Sequence, residues 1–128
     1  MLAACSGPGT GAGTDRTATP LTNTPGDAAR GRALFLAREG GHCVLCHAVP
    51  DAAAAGNVGP SLAGVAARLD AAQLRYRVED ITRVNPAAAM PAFHRSADLN
   101  RVAPERRGRT LLTDQELEDV VAYLGTLQ

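Results

Sequence analysis

Tryptophan and lysine are absent from this sequence, and aromatic side chains are scarce: Phe35, Tyr76, Phe93 and Tyr123 are all that 128 residues contain. Much of the 45% apolar fraction is Ala, so the side chains alone make a thin core. A single domain of this length then needs something large to fill its interior. All thirteen basic residues are Arg and are balanced by thirteen Asp and Glu. A formal net charge of zero gives no support to a nucleic-acid binder, which needs a basic surplus. No apolar run is long enough to cross a membrane as a helix. Cysteine is limited to three residues, Cys5, Cys43 and Cys46.

Two of those cysteines stand in Cys43-Val44-Leu45-Cys46-His47. C-x-x-C-H sets two thiols and an imidazole at the spacing that attaches haem covalently. Each thiol adds across one vinyl group of the porphyrin, and the following His turns its ring under the plane to ligate iron. Two other uses of such a pair compete. Structural zinc needs further ligands, and only His42, His94 and Cys5 remain, with no second C-x-x-C and no H-x-x-x-H. A thioredoxin-like redox pair opens a helix after a strand, whereas the segment before Cys43 reads as a helix. Haem attachment is the expected role, and a buried porphyrin supplies the missing core volume.

The chain start carries a separate signal. Leu2-Ala3-Ala4-Cys5 resembles a bacterial lipobox, whose Cys becomes N-terminal and lipidated. Only Met1 to Ala4 precede it, too few for the basic region and the roughly 7–15 apolar residues of a secretory signal. Met1 is therefore expected to be a misplaced start with the signal upstream; chance in an Ala-rich sequence is the alternative. Covalent haem attachment implies export, and Cys5 is otherwise an odd thiol. Residues 6–26, rich in Gly, Thr and Pro, read as a flexible tether. The expected division is thus a lipobox-like start and tether over 1–26 and a folded domain over 27–128. A lipid on Cys5 would hold that domain at a periplasmic membrane surface.

From Asp27 the order is helix, haem motif, Gly-rich loop, helix, loop, helix. Asp27 is a plausible N-cap, with the helix ending at Gly40-Gly41 and Gly31 and Phe35 on one face. Asp70 starts a helix in which Leu74, Val78 and Ile81 share a stripe, closed by Asn85-Pro86. Thr113-Asp114-Gln115-Glu116 is a capping box, after which Leu117, Val120, Val121 and Leu124 recur at helical spacing up to Gly125. No strand pattern appears, so the expected fold class is all-α.

Gly31, Phe35 and Tyr123 resemble the small-residue and aromatic contact at which the terminal helices of the class I cytochrome c fold cross. Gly59-Pro60-Ser61-Leu62 is similar to that family's G-P-x-L loop. The resemblance implies that the Pro60 carbonyl accepts the hydrogen bond of His47, holding the ring so that its other nitrogen ligates iron. Met90-Pro91-Ala92-Phe93 resembles the segment that brings the sixth ligand. A neutral thioether favours ferrous iron and raises the potential, which suits an electron carrier. Simple core packing of Met90, with His94 as ligand instead, is the competing assignment. Val44 and Leu45 are expected to leave an apolar rim beside the attached cysteines.

The run from Gly56 to Leu127, including G-N-V-G-P-S-L-A-G-V, N-P-A-A-A-M-P-A-F and L-T-D-Q-E-L-E-D-V-V-A-Y-L, resembles the SoxX family. These are the small monohaem subunits of the SoxAX cytochromes of bacterial thiosulfate oxidation. The resemblance implies a periplasmic heterodimer with a SoxA-like haem protein, in which thiosulfate is oxidatively joined to a carrier-protein cysteine at the partner's haem. By that carry-over Cys43 and Cys46 attach one haem c, and His47 and Met90 are its axial ligands. No catalytic residue is expected in this chain, and the electrons pass to a downstream cytochrome. Residues 94–110 are longer than a plain connector needs and carry Arg95, Arg101, Arg106, Arg107 and Arg109. They are either an arm that meets the partner or haem propionates, or a solvated loop. Three functions remain distinct: the SoxX-like subunit, a free-standing or lipid-tethered electron shuttle, and a haem sensor with an open sixth position.

Overall fold

Asp27 accepts the Arg30 N–H at 2.9 Å and starts helix α1 (Ala28–Leu36), in a computed structural model that describes residues 15–128. The helix stops earlier than the expected Gly40-Gly41, because Ala37 turns extended while its N–H still reaches the Ala33 carbonyl. One short turn, α2 (Val65–Arg68), has no counterpart among the expected helices. Asp70 then starts α3 (Ala71–Glu79) with a full capping box, Asp70 and Gln73 satisfying each other's N–H groups. The stripe breaks before Ile81. Asp80 caps a separate 3₁₀ turn, Ile81–Arg83, by accepting the Thr82 N–H. Thr113 and Glu116 form the expected box at the start of α4 (Asp114–Leu124). Among the described residues there is no strand, and no helix is long and apolar enough to cross a membrane.

The α1 and α4 crossing dominates the packing. A Cβ on Gly31 would lie 1.8 Å from the Asp119 carbonyl oxygen, so only glycine lets the two backbones touch. One turn further along, Phe35 and Tyr123 meet edge to face with ring centroids 5.5 Å apart, a favoured geometry for aromatic pairs. Phe35, Leu112, Leu117 and Val120 are the most deeply buried large side chains. Leu74 and Val78 of α3 close the core against α4.

Cys5 and the lipobox-like start lie outside the described residues. The described part of the expected tether, residues 15–26, does not behave as a free linker but lies across α3 and α4. The Thr17 N–H donates to the Ala72 carbonyl at 2.9 Å, and its hydroxyl donates to Glu79 at 2.8 Å. Leu21 N–H donates to Glu118 at 2.9 Å, and Asp27 N–H to Asp119 at 2.8 Å. What holds this segment is a buried ion pair. Arg75 grips Glu118 through two bonds of 2.6 and 2.9 Å, with both side chains only 6% exposed. The same guanidinium donates to the Thr17 carbonyl at 2.8 Å. Polar composition suggested a tether because it shows no apolar face; side chains from elsewhere satisfy the segment's backbone instead.

Candidate haem site

A 3₁₀ turn over Cys43–Leu45 carries the motif, and both Cys46 and His47 donate their N–H groups to the Cys43 carbonyl, at 3.1 and 2.9 Å. His42 precedes the turn in the left-handed region, φ 58°. Cys43 and Cys46 are both free thiols. Burial pushes the Cys43 thiol up to about 11, so near neutral pH it is protonated and lacks the low-pKa character of a redox C-x-x-C. Among the described residues no three His, Cys, Asp or Glu side chains gather as a metal cluster. Neither the zinc nor the thioredoxin-like use of the motif finds support.

His47 is held from two sides. Its Nδ1 lies 2.7 Å from the Pro60 carbonyl oxygen. A carbonyl can only accept, which assigns the proton to Nδ1 and leaves the Nε2 lone pair free for a metal. Gly59 forms the other side: a Cβ there would stand 2.4 Å from Cε1 and 2.7 Å from Nδ1 of the ring. The loop is stitched to the motif by bonds from Gly56 N–H to Val44 O and from Gly59 N–H to Cys46 O, 2.9 and 2.8 Å. Leu62 N–H adds a third, to Ala48 O at 2.9 Å.

Met90 is half-buried and packs against the core. It lies between a turn at Asn85, whose side chain accepts the Ala87 N–H, and the buried Phe93. His94 is committed elsewhere. Its Nε2 lies 2.7 Å from Asp114 at the start of α4, and its N–H donates to the Glu79 carbonyl at 3.0 Å. Of the two residues of the expected apolar rim, Val44 is buried in the core and Leu45 is 41% exposed.

One contact was not visible in the sequence. The Tyr123 hydroxyl donates to Asp51 Oδ1 at 2.8 Å, and Arg32 also pairs with Asp51. These bonds join α1 and α4 to the loop that follows His47. Arg32, then Tyr123, holds the Asp51 carboxyl below the usual carboxylate range. Burial and Asp51 together push the Tyr123 hydroxyl up to about 12. No local pattern marks the network, since Asp51 and Tyr123 are 72 residues apart.

The Cys43 and Cys46 thiols and an imidazole with a free Nε2, set within five residues, fit a covalently attached c-type haem. The cytochrome c family model matches residues 28–128. This chain belongs to the cytochrome c family. The cytochrome carries haem c covalently, and Cys43 to His47 is the one C-x-x-C-H in its sequence. Its structure is similar to a chain of the SoxXA crystal structure from P. pantotrophus, with 31% identity and a TM-score of 0.79, covering 88% of this chain and 90% of that one. The c-type cytochrome SorU from Sinorhizobium meliloti is 33% identical, with a TM-score of 0.51, over 78% of this chain and 88% of that one. No curated protein matches this sequence. The helical cytochrome c fold is thus as expected, and the structure is SoxX-like.

Proposed function

We propose that this cytochrome is the monohaem electron-transfer subunit of a SoxAX-type complex, paired with a SoxA-like haem protein. The complex would oxidatively couple thiosulfate to a cysteine of a carrier protein in the periplasm. The observation that carries this is the match to the SoxXA chain over nearly the full length of both, with a TM-score of 0.79 against 0.51 for SorU. Bound haem c supplies a one-electron iron couple. The protein's own residues hold, orient and shield it. Cys43 and Cys46 fix it through thioethers, and His47 offers Nε2 because Pro60 retains the proton on Nδ1. Met90 is the proposed sixth ligand, supported by the engagement of His94 with Asp114 and Glu79. With His47 and Met90 both holding the iron, the protein would accept and pass on single electrons and make no bond to substrate, so bond-making would fall to the partner. A downstream cytochrome would take the electrons, and a lipid on Cys5 would keep the exchange at a membrane surface.

The likeness to SorU favours a second reading, an independent electron shuttle. Purification from the native host with gel filtration followed at the haem absorbance separates the two. A second haem-bearing protein co-eluting with this one, and reduction of the pair by thiosulfate with the carrier protein, is the expected result. Elution as a lone monohaem monomer would overturn it.

A further inference from the structure

The loop over residues 94–110 leaves and returns at a single residue. The Phe93 carbonyl accepts the N–H groups of both Leu111 and Leu112, at 3.0 and 3.1 Å. Arg95 donates to Asp80 at 2.9 Å and locks the entry, so this arginine belongs to the base of the loop and is not a free cation of the arm. A compact loop with joined ends is an Ω-loop, a common carrier of function.

The remaining cations differ from most of the other arginines in the chain. Arg16, Arg30, Arg32, Arg75, Arg83 and Arg95 all form ion pairs. Arg101, Arg106, Arg107 and Arg109 are exposed and form none among the described residues. Within residues 101–109 only Glu105 opposes them, four Arg against one Glu for a net +3 on a chain whose total is zero, and Asp98 faces the same cleft. Arg101 and Arg107 line a cleft of about 270 Å³, together with Asp98, Leu99, Val102 and Gly108. That volume suits one side chain, whereas nucleic acid or a bilayer needs a continuous basic surface. Guanidinium groups pair bidentately with planar carboxylates, and Leu99 and Val102 offer a wall for an aliphatic stem.

We propose that this cleft is a docking point for a carboxylate of an acidic partner protein, presented by an Asp or Glu side chain or by a chain's C-terminal carboxyl. Phe93, from which the loop hangs, follows Met90 by three residues. The base of the loop that carries the cleft thus adjoins the Met90 segment along the chain. The use of that placement for electron exchange rests on the proposed function; the docking itself does not.

The test follows backbone amide shifts of the ferrous holoprotein in three titrations. The probes are an oligoglutamate amidated at its C-terminus, an oligoalanine with a free C-terminal carboxylate, and phosphatidylglycerol vesicles. Saturable shifts confined to residues 98–108 are expected with at least one peptide. Response to the oligoglutamate identifies a side-chain carboxylate, and response to the oligoalanine alone identifies a chain end. The double variant R101Q/R107Q should bind about tenfold more weakly, and D98N, which removes the opposing charge, several-fold more tightly, both with an unchanged haem spectrum. Equal affinity in R101Q/R107Q, no gain in D98N, shifts elsewhere on the surface, or binding to vesicles with none to either peptide would overturn the proposal. None of these readouts involves thiosulfate, so failure here and failure of the proposed function are distinguishable.

Discussion

Single residues set the geometry of His47, and Gly59 is the most exacting of them. A methyl group at this position would sit 2.4 Å from the imidazole Cε1, so Gly59→Ala must tilt the ring away from the Pro60 carbonyl. Overpacking of this kind costs about 1–3 kcal/mol. Less haem bound per chain and an altered haem spectrum are expected, measured by haem quantification of purified protein; wild-type loading would contradict the role given to Gly59. Tyr123 makes a different demand. Its hydroxyl is pushed up to about 12 in the folded protein, against about 10 when unfolded. The stability this contributes is complete below pH 10 and is lost as pH rises toward 12. Tyr123→Phe should cost about 1 kcal/mol at neutral pH through the lost bond to Asp51 and should flatten the decline above pH 10. Thermal melts of the two proteins from pH 8 to about 12 would show it.

At the scale of elements, the molecule depends on α4 as a platform for everything N-terminal to it. Glu118 is buried against Arg75 and also accepts the Leu21 N–H. Replacing it by Gln leaves a buried guanidinium short of its counter-charge, for which a loss of about 3 kcal/mol is expected in denaturant unfolding. Little change would contradict the stabilising role given to this ion pair. The helix starts themselves were legible in the sequence, because Asp27, Asp70 and Thr113 act on N–H groups only three residues away. The roles of Glu118 and Asp119 were not. On a helix they read as solvent-facing charges, and their partners Arg75 and Arg30 lie 43 and 89 residues distant. The same limit explains residues 15–26, whose composition suggested a tether while their bonding partners sit in α3 and α4. The haem motif escaped this limit because covalent attachment fixes its spacing within five residues.

For the whole molecule, six arginines are held in ion pairs, while the four of the 101–109 arm stand exposed without one among the described residues. Burial alone would raise the carboxyls of Asp80, Glu118 and Asp119, but their hydrogen bonds and neighbouring arginines hold all three below the usual range. A depressed folded pKa contributes stability above the unfolded value, near 4, and loses it as pH falls further. Melting temperature should therefore stay level from about pH 6 to 9 and drop below about pH 4, and Glu118→Gln should make the drop shallower. Gly31, Phe35 and Tyr123 showed how the terminal helices cross, and Gly59-Pro60 showed how His47 is oriented, because both arrangements resemble a known family. The closed base of the Arg-rich loop had no such guide. The proposed closure of the iron between His47 and Met90 would let this haem protein carry electrons instead of binding ligands. Carbon monoxide added to the ferrous protein tests it most directly, with Met90→Ala alongside. The parent should not bind the gas while the variant binds it readily; a parent that binds carbon monoxide as well as the variant does would contradict the account.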